Sequence, residues 1–258
     1  MAGILDSFKL DGKLAIVTGS ERGLGKGYAT ALAQAGADIL GVTYADAAAA
    51  ADTAAAVKAA GRRYVHLKAN LMTLEPIPGI IATALKEFGR IDILVNNAGI
   101  ILRNDAVAFT EKEWDDVMDI NLKTVFFLSQ AVAKVMIDKG RGGKIVNIAS
   151  MLSFQGGIRV PSYTASKSGV KGITMLMANE WAKHNIQVNA IAPGYMATDN
   201  TAPLRADEKR SEDILARIPA GRWGTGEDVA GAVVFLSSPA SDYVTGYTLA
   251  VDGGWLAR

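Results

Sequence analysis

Apolar positions along this chain come in short unbroken runs, separated by longer stretches of helical character. Residues 14–18, Leu-Ala-Ile-Val-Thr, form the first run and end at Gly19. A run without polar alternation reads as a strand buried on both faces. Residues 24–35 are rich in alanine, and Gly36 is placed to stop a helix there. The alternation then repeats. Strands are expected at 38–43, 64–68, 91–95, 144–149, 187–191 and 248–251. Helices are expected at 46–60, 77–88, 114–138 and 162–183. The alanine run within 46–60 is low in complexity, but alanine has the highest helix propensity, and Gly61 follows as a stop. Pro76 and Pro78 are confined to the start of the 77–88 helix, where a missing N–H costs nothing.

Strands that alternate with helices imply βαβ units and a parallel sheet covered on both faces. No linker rich in Pro, Gly or Ser divides the chain, so residues 1–258 are read as one domain. The expected fold class is α/β, a doubly wound parallel sheet of Rossmann type. Such a sheet binds ligands beyond the carboxyl ends of its strands. The chemistry-bearing motifs all follow predicted strands, which places them along that edge.

Composition narrows the picture. Half of the 258 residues are apolar, 21% are charged, and the net charge is +1. No basic block argues for nucleic acid. There are no cysteines and only two histidines, so neither a disulfide, a thiolate metal site nor a His-rich metal site is expected. No uninterrupted run of 18 apolar residues is present, and residues 1–10 lack a signal-peptide pattern. A cytoplasmic location without membrane contact is the expectation.

The first strand leads into Thr18-Gly19-Ser20-Glu21-Arg22-Gly23-Leu24-Gly25, a G-x-x-x-G-x-G turn before a helix. Glycine lets a pyrophosphate approach the backbone, and the helix N-terminus offers unpaired N–H groups. Gly19, Arg22, Gly23, Leu24 and Gly25 are therefore candidate cofactor contacts. An acid closing the second strand would hold the adenosine ribose and repel a 2′-phosphate, but that position is about Thr43. Arg22 could meet such a phosphate instead, which leans towards NADP.

Further on stands Tyr163-Thr164-Ala165-Ser166-Lys167. Tyr163 and Lys167 are four apart and share one helix face. Ser150 closes the preceding strand, thirteen residues earlier (163 − 150). Hydride transfer at a hydroxyl-bearing carbon needs a partner for the hydroxyl proton. A free tyrosine has a pKa of about 10, and the Lys167 ammonium together with a nicotinium charge should lower it. Ser150 can stabilise charge on the substrate oxygen.

The glycine pattern, Asn96-Asn97-Ala98-Gly99, Ser150, and Tyr163 with Lys167 together resemble the short-chain dehydrogenase/reductase family, over essentially the whole chain. The resemblance implies catalytic roles for Ser150, Tyr163 and Lys167, and for Asn121 as a fourth member through a proton relay. It places Asn97, Ala98 and Gly99 beside the adenosine, and Asn70 and Leu71 near the adenine, where many members carry an Asp. Pro193, Gly194, Met196 and Thr198 would cover the nicotinamide. It implies NAD as cofactor, with NADP kept as the alternative. It also implies a homotetramer, with helices 114–138 and 162–183 at one interface and Asp252–Trp255 a candidate for another.

Within the family the resemblance narrows to members acting on keto-deoxy sugar acids. A sugar-acid carboxylate needs a cation, for which Arg103 and Arg159 are candidates, and Gln155 could serve sugar hydroxyls. Residues 201–217 read as a helical lid. His66 is expected to be structural and far from the site. The alternatives are another reductase of the family, such as a gluconate 5-dehydrogenase or a 3-oxoacyl carrier-protein reductase, or a nucleotide-binding protein without catalysis.

Overall fold

The structure, a computed structural model, describes residues 3–258; the expectation drawn from residues 1–10 extends to Met1 and Ala2, which lie outside the described residues. Seven strands form one sheet. They are β1 (Leu14–Thr18), β2 (Asp38–Thr43), β3 (Tyr64–Lys68), β4 (Ile93–Asn96), β5 (Gly143–Ile148), β6 (Ile186–Pro193) and β7 (Thr248–Val251). Their order is β3-β2-β1-β4-β5-β6-β7, and every pairing is parallel. The doubly wound parallel sheet expected from the alternation is what forms.

The unbroken apolar runs have a clear cause. Successive β1 side chains point to opposite faces, and both faces are covered. Ala15 and Val17 join a core that includes Tyr28 and Leu32 of helix α1 (Gly23–Gln34). Val233 and Leu236 of α9 (Ala230–Ser237) complete that layer. Leu14 and Ile16 join the opposite core, with Ile80 of α3 (Ile77–Phe88), and Leu128 and Val132 of α5 (Thr124–Asp138). Fully burying one such side chain contributes roughly 1.5–3 kcal/mol. Between them, α2 (Ala51–Ala59) follows a 3₁₀ turn at Ala47–Ala50, inside the expected 46–60 helix.

Two elements differ from the sequence expectation. Helix α9 has no polar face, so no 3.6-residue period marks it; it is apolar because it packs between α1 and the strands β5 and β6. The expected 114–138 helix starts earlier, as α4 (Glu111–Met118). There the Thr110 side chain accepts from Glu113 N, and the Glu113 carboxylate accepts from Thr110 N. It is then interrupted by a π-turn at Asp119–Lys123 before α5 begins. Residues 111–138 together are 28 long with a mean hydropathy of 1.3 in their most apolar window, enough in length and composition to cross a membrane. That apolarity has a use within the fold, since Leu128, Val132 and Met136 of α5 lie in the core.

The crossover from β3 back to β4 makes β1 and β4 the strands at which chain direction reverses. The glycine-rich turn after β1 and the segment after β4 therefore face one crevice. Helix α6 (Pro161–Trp181), with proline in its first turn, brings Tyr163 to the same edge beside the end of β5.

Candidate active site

A cavity of about 690 Å³ runs along the carboxyl edge of the sheet. The loops after β1, β2, β3, β4, β5 and β6 all contribute to its wall. Of the cofactor candidates, Gly19, Arg22, Gly23, Leu24, Gly25, Asn70, Leu71, Asn97, Ala98, Gly99, Pro193, Gly194, Met196 and Thr198 line it. Ser150, Tyr163 and Lys167 line the same cavity.

The glycine turn is tightly built. Gly19 has φ +65° and Gly23 φ +53°, conformations that favour glycine. A Cβ on Gly25 would stand 1.9 Å from the Gly19 carbonyl oxygen and 2.6 Å from Asn97 Nδ2. Asn97 Nδ2 donates to the carbonyls of Thr18 (2.9 Å) and Gly19 (3.1 Å), while Asn97 N and Ala98 N donate to Thr18 Oγ1. The Asn97 side chain is thus a brace for the turn. Helix α1 has no side-chain cap, so its first N–H groups open onto the cavity. Uncapped N–H groups beside a backbone that glycines allow to be approached suit a pyrophosphate. Gly25→Ala should therefore open the turn, costing about 1–3 kcal/mol of stability and weakening nucleotide binding. Thermal melts and nucleotide titration of that variant check this.

The adenosine end departs from expectation. Thr43 is buried and does not line the cavity: its Oγ1 donates to Ala45 O at 2.8 Å and lies 2.8 Å from His66 Nε2. Tyr44 and Ala45 line the wall in its place. His66 is structural as expected but not remote, because it braces this loop through Thr43 Oγ1 and Ala45 O. Asn70 turns its Oδ1 to accept from Met72 N.

At the other end, Lys167 is 5% exposed, and its Nζ donates to Ile148 O at 2.5 Å. The same Nζ lies 5.6 Å from the centre of the Tyr163 ring. Ser150 Oγ accepts from Leu152 N, and Ser153 Oγ donates to Lys167 O, which ties the end of β5 to α6. Asn121 sits in the π-turn, fully buried. Its Oδ1 accepts from Ile100 N at 2.9 Å, and its Nδ2 donates to Ile100 O at 2.9 Å and to Ser166 Oγ at 3.4 Å. The side chain therefore clamps the loop after β4 to the Tyr163 helix. The asparagine does not itself line the cavity; it braces the loop and the helix that do.

Burial sets the protonation pattern. It pushes the Tyr163 phenol above its usual value, opposed by the Ser150 hydroxyl and the Arg103 charge. It lowers the Lys167 ammonium to about 8.

The substrate candidates separate. Arg103 does not line the cavity; its Nη2 donates to Asn200 O at 3.0 Å, and its charge is felt at Tyr163. Arg159 does not line the cavity; in a left-handed conformation (φ +63°) it pairs with Asp105 at 3.0 Å. Gln155 is also elsewhere. Its Oε1 accepts from Arg217 Nη2 and Trp255 Nε1, beside a separate cavity of about 450 Å³. The expected lid is a 3₁₀ turn at Asp199–Thr201 followed by α7 (Ala202–Ala206) and α8 (Glu208–Arg217). Asp199, Asn200 and Thr201 form the cavity mouth, and Arg22 reaches Asp199 at 3.2 Å. Glu21 also lines the cavity, although the turn drew notice only for its glycines, Arg22 and Leu24.

Residues 18–256 match a family model described as Enoyl-(Acyl carrier protein) reductase. The chain is 65% identical over 255 residues to the 2-dehydro-3-deoxy-D-gluconate 5-dehydrogenase of Escherichia coli (strain K12), covering 99% of this chain and 100% of that protein. The chain belongs to the short-chain dehydrogenase/reductase family. Among solved structures, one of an Agrobacterium tumefaciens protein with bound NADP, provisionally described as a 2-deoxy-D-gluconate 3-dehydrogenase, is 54% identical. Its TM-score is 0.89, and the match covers 98% of this chain and 99% of that one. A gluconate 5-dehydrogenase of Burkholderia cenocepacia J2315, in complex with NADP and tartrate, is 40% identical with a TM-score of 0.94. That match covers 99% of this chain and 100% of the other. Family membership implies that the cavity holds a nicotinamide dinucleotide, and the uncapped α1 and the glycine turn fit one.

Proposed function

We propose that the chain interconverts a hydroxyl and a ketone on a keto-deoxy sugar acid, the substrate class named for its 65%-identical relative. The observation that carries this reading is one cavity with an uncapped helix N-terminus at one end and Ser150, Tyr163 and Lys167 at the other. A bound nicotinamide dinucleotide supplies or accepts the hydride. In reduction, Tyr163 gives its hydroxyl proton to the substrate oxygen as negative charge develops there. Ser150 Oγ donates to the same oxygen and stabilises that charge. In oxidation, the Tyr163 phenolate takes the hydroxyl proton. Lys167, protonated and close to the ring, favours that phenolate. Asn121 holds the Ile100 loop against the helix that carries Tyr163 and Lys167.

NAD is the proposed cofactor. NADP is the second reading, favoured by Arg22 in the turn and by the NADP bound in the two similar structures. Arg103 is assigned to the substrate carboxylate, since it is bonded to Asn200 of the lid and its charge is felt at Tyr163, whereas Arg159 is engaged by Asp105. The reading takes the chain as one cytoplasmic domain acting as a homotetramer. Phe127 on α5 and Met175 and Leu176 on α6 support assembly, because they leave apolar surface exposed on the two long helices.

A panel of sugar acids and neutral polyols, assayed with both cofactors, tests the proposal. Turnover should be fastest with a keto-deoxy sugar acid; faster turnover of an acyl thioester would reject the substrate class. In the same panel, Arg103→Ala should raise KM for acids about 10- to 100-fold, the loss of a hydrogen bond to a charged group. A neutral polyol affected equally would remove Arg103 from carboxylate binding.

A further inference from the structure

We propose that Glu21 makes this chain select NAD, by receiving the adenosine ribose hydroxyls on its carboxylate and repelling a 2′-phosphate. The inference rests on the dehydrogenase reading above and assigns one residue's role within it.

Glu21 lines the cavity, and its Oε2 is buried with no hydrogen-bond partner. A buried carboxylate oxygen without a donor is costly, so the side chain gains by turning this oxygen to a ligand hydroxyl in the cavity. Among the described residues, Arg22 pairs with Asp199, Lys26 with Asp52 and Lys68 with Asp46, while no ion pair involves Glu21. Ser20 Oγ lies 3.1 Å from the Tyr64 hydroxyl, and the Glu21 charge is felt at that phenol.

Position decides what the carboxylate meets. The end of β2 is where a doubly wound fold usually places the acid that reads the ribose. Here that position is Thr43, whose side chain is turned to His66. Glu21 lines the same cavity as Tyr44 and Ala45, from the glycine turn instead. An acid in a phosphate-binding turn is electrostatically out of place unless it faces hydroxyls. A 2′-phosphate dianion brought to this wall would meet an unneutralised negative charge. Arg22 opposes this, but its guanidinium is 72% exposed and already shared with Asp199. Water screens such a pair strongly, so its pull on a phosphate is the weaker of the two effects.

Calorimetric titration of the nucleotide-free protein with ADP-ribose and with 2′-phospho-ADP-ribose tests this without turnover. The wild-type chain should bind ADP-ribose at least about tenfold more tightly, on the scale of one hydrogen bond to a charged group. Glu21→Gln keeps the shape and removes the charge, and should shift the ratio about 10- to 100-fold towards the phosphorylated ligand. Arg22→Ala should move the ratio less than Glu21→Gln does, because its guanidinium is exposed and paired with Asp199. A wild-type preference for the phosphorylated ligand would overturn the proposal. So would an unchanged ratio in Glu21→Gln, above all if Arg22→Ala alone moved it. Binding of neither ligand would instead overturn the dehydrogenase reading, and this inference with it.

Discussion

Replacing Tyr163 by phenylalanine should reduce turnover by about 10²–10⁴-fold while leaving nucleotide affinity within about twofold. The substitution removes one oxygen. The ring, its contact with Lys167 Nζ and the Lys167–Ile148 hydrogen bond all stay in place. Ser150 remains able to hold the substrate oxygen, so substrate binding should fall little. What disappears is the hydroxyl one helical turn before Lys167 on α6, whose proton can follow the hydride. The measurement pairs single-turnover kinetics with fluorescence titration of the reduced cofactor. Turnover within a few-fold of wild type would end the assignment of Tyr163 as the proton donor. Weakened nucleotide binding at unchanged turnover would make it a packing residue.

The parts of this site that were legible in the sequence share a physical property: their positions follow from backbone geometry. Ser150 closes a strand, and Tyr163 and Lys167 lie four residues apart on a helix. A strand end and one helical turn therefore suffice to bring them together. Gly19, Gly23 and Gly25 were legible because turn conformation and close packing exclude other residues there. The sheet was legible because both its faces are covered, which leaves unbroken apolar runs.

What was not legible depends on where long side chains find partners. Arg103, Arg159 and Gln155 all lie on loops beside the site. Arg103 reaches the lid, Arg159 turns to Asp105, and Gln155 turns to Arg217 and Trp255. No spacing rule distinguishes these outcomes, because each is fixed by residues distant in the chain. The π-turn at Asp119–Lys123 was hidden for a related reason. Asn121 at its centre is bonded to Ile100 and Ser166, both distant in the chain. Glu21 did carry a signal, since an acid beside the phosphate-binding glycines contradicts the charge of a phosphate. Only the fold shows that it lines the cavity with no cation paired to it.

Lys167→Met should lower turnover by about 10²–10⁴-fold and at the same time make the protein more stable at pH 7. The second effect follows from the depressed ammonium. Lys167 titrates near 8 in the folded chain against 10.5 as its ordinary value. Between those values the unfolded chain binds a proton that the folded chain does not, so stability rises with pH across that interval. Below about pH 8 both states are protonated, and the folded state carries the full cost of a buried charge. Two and a half units correspond to about 3 kcal/mol. The lost hydrogen bond to Ile148 O returns about 1–1.5 kcal/mol of that, so the variant should gain roughly 1–2 kcal/mol at pH 7. Wild-type stability should climb between about pH 8 and 10, while the methionine variant stays flat there. Above pH 10 the raised Tyr163 phenol acts with the opposite sign in both proteins, because only the unfolded state ionises freely. Urea denaturation at pH 7, 8, 9 and 10 separates the two curves. Equal pH dependence in both proteins would show that Lys167 does not carry a buried charge. A stable but inactive variant would mark Lys167 as a residue whose charge is kept against the stability of the fold because it serves the proton chemistry at Tyr163.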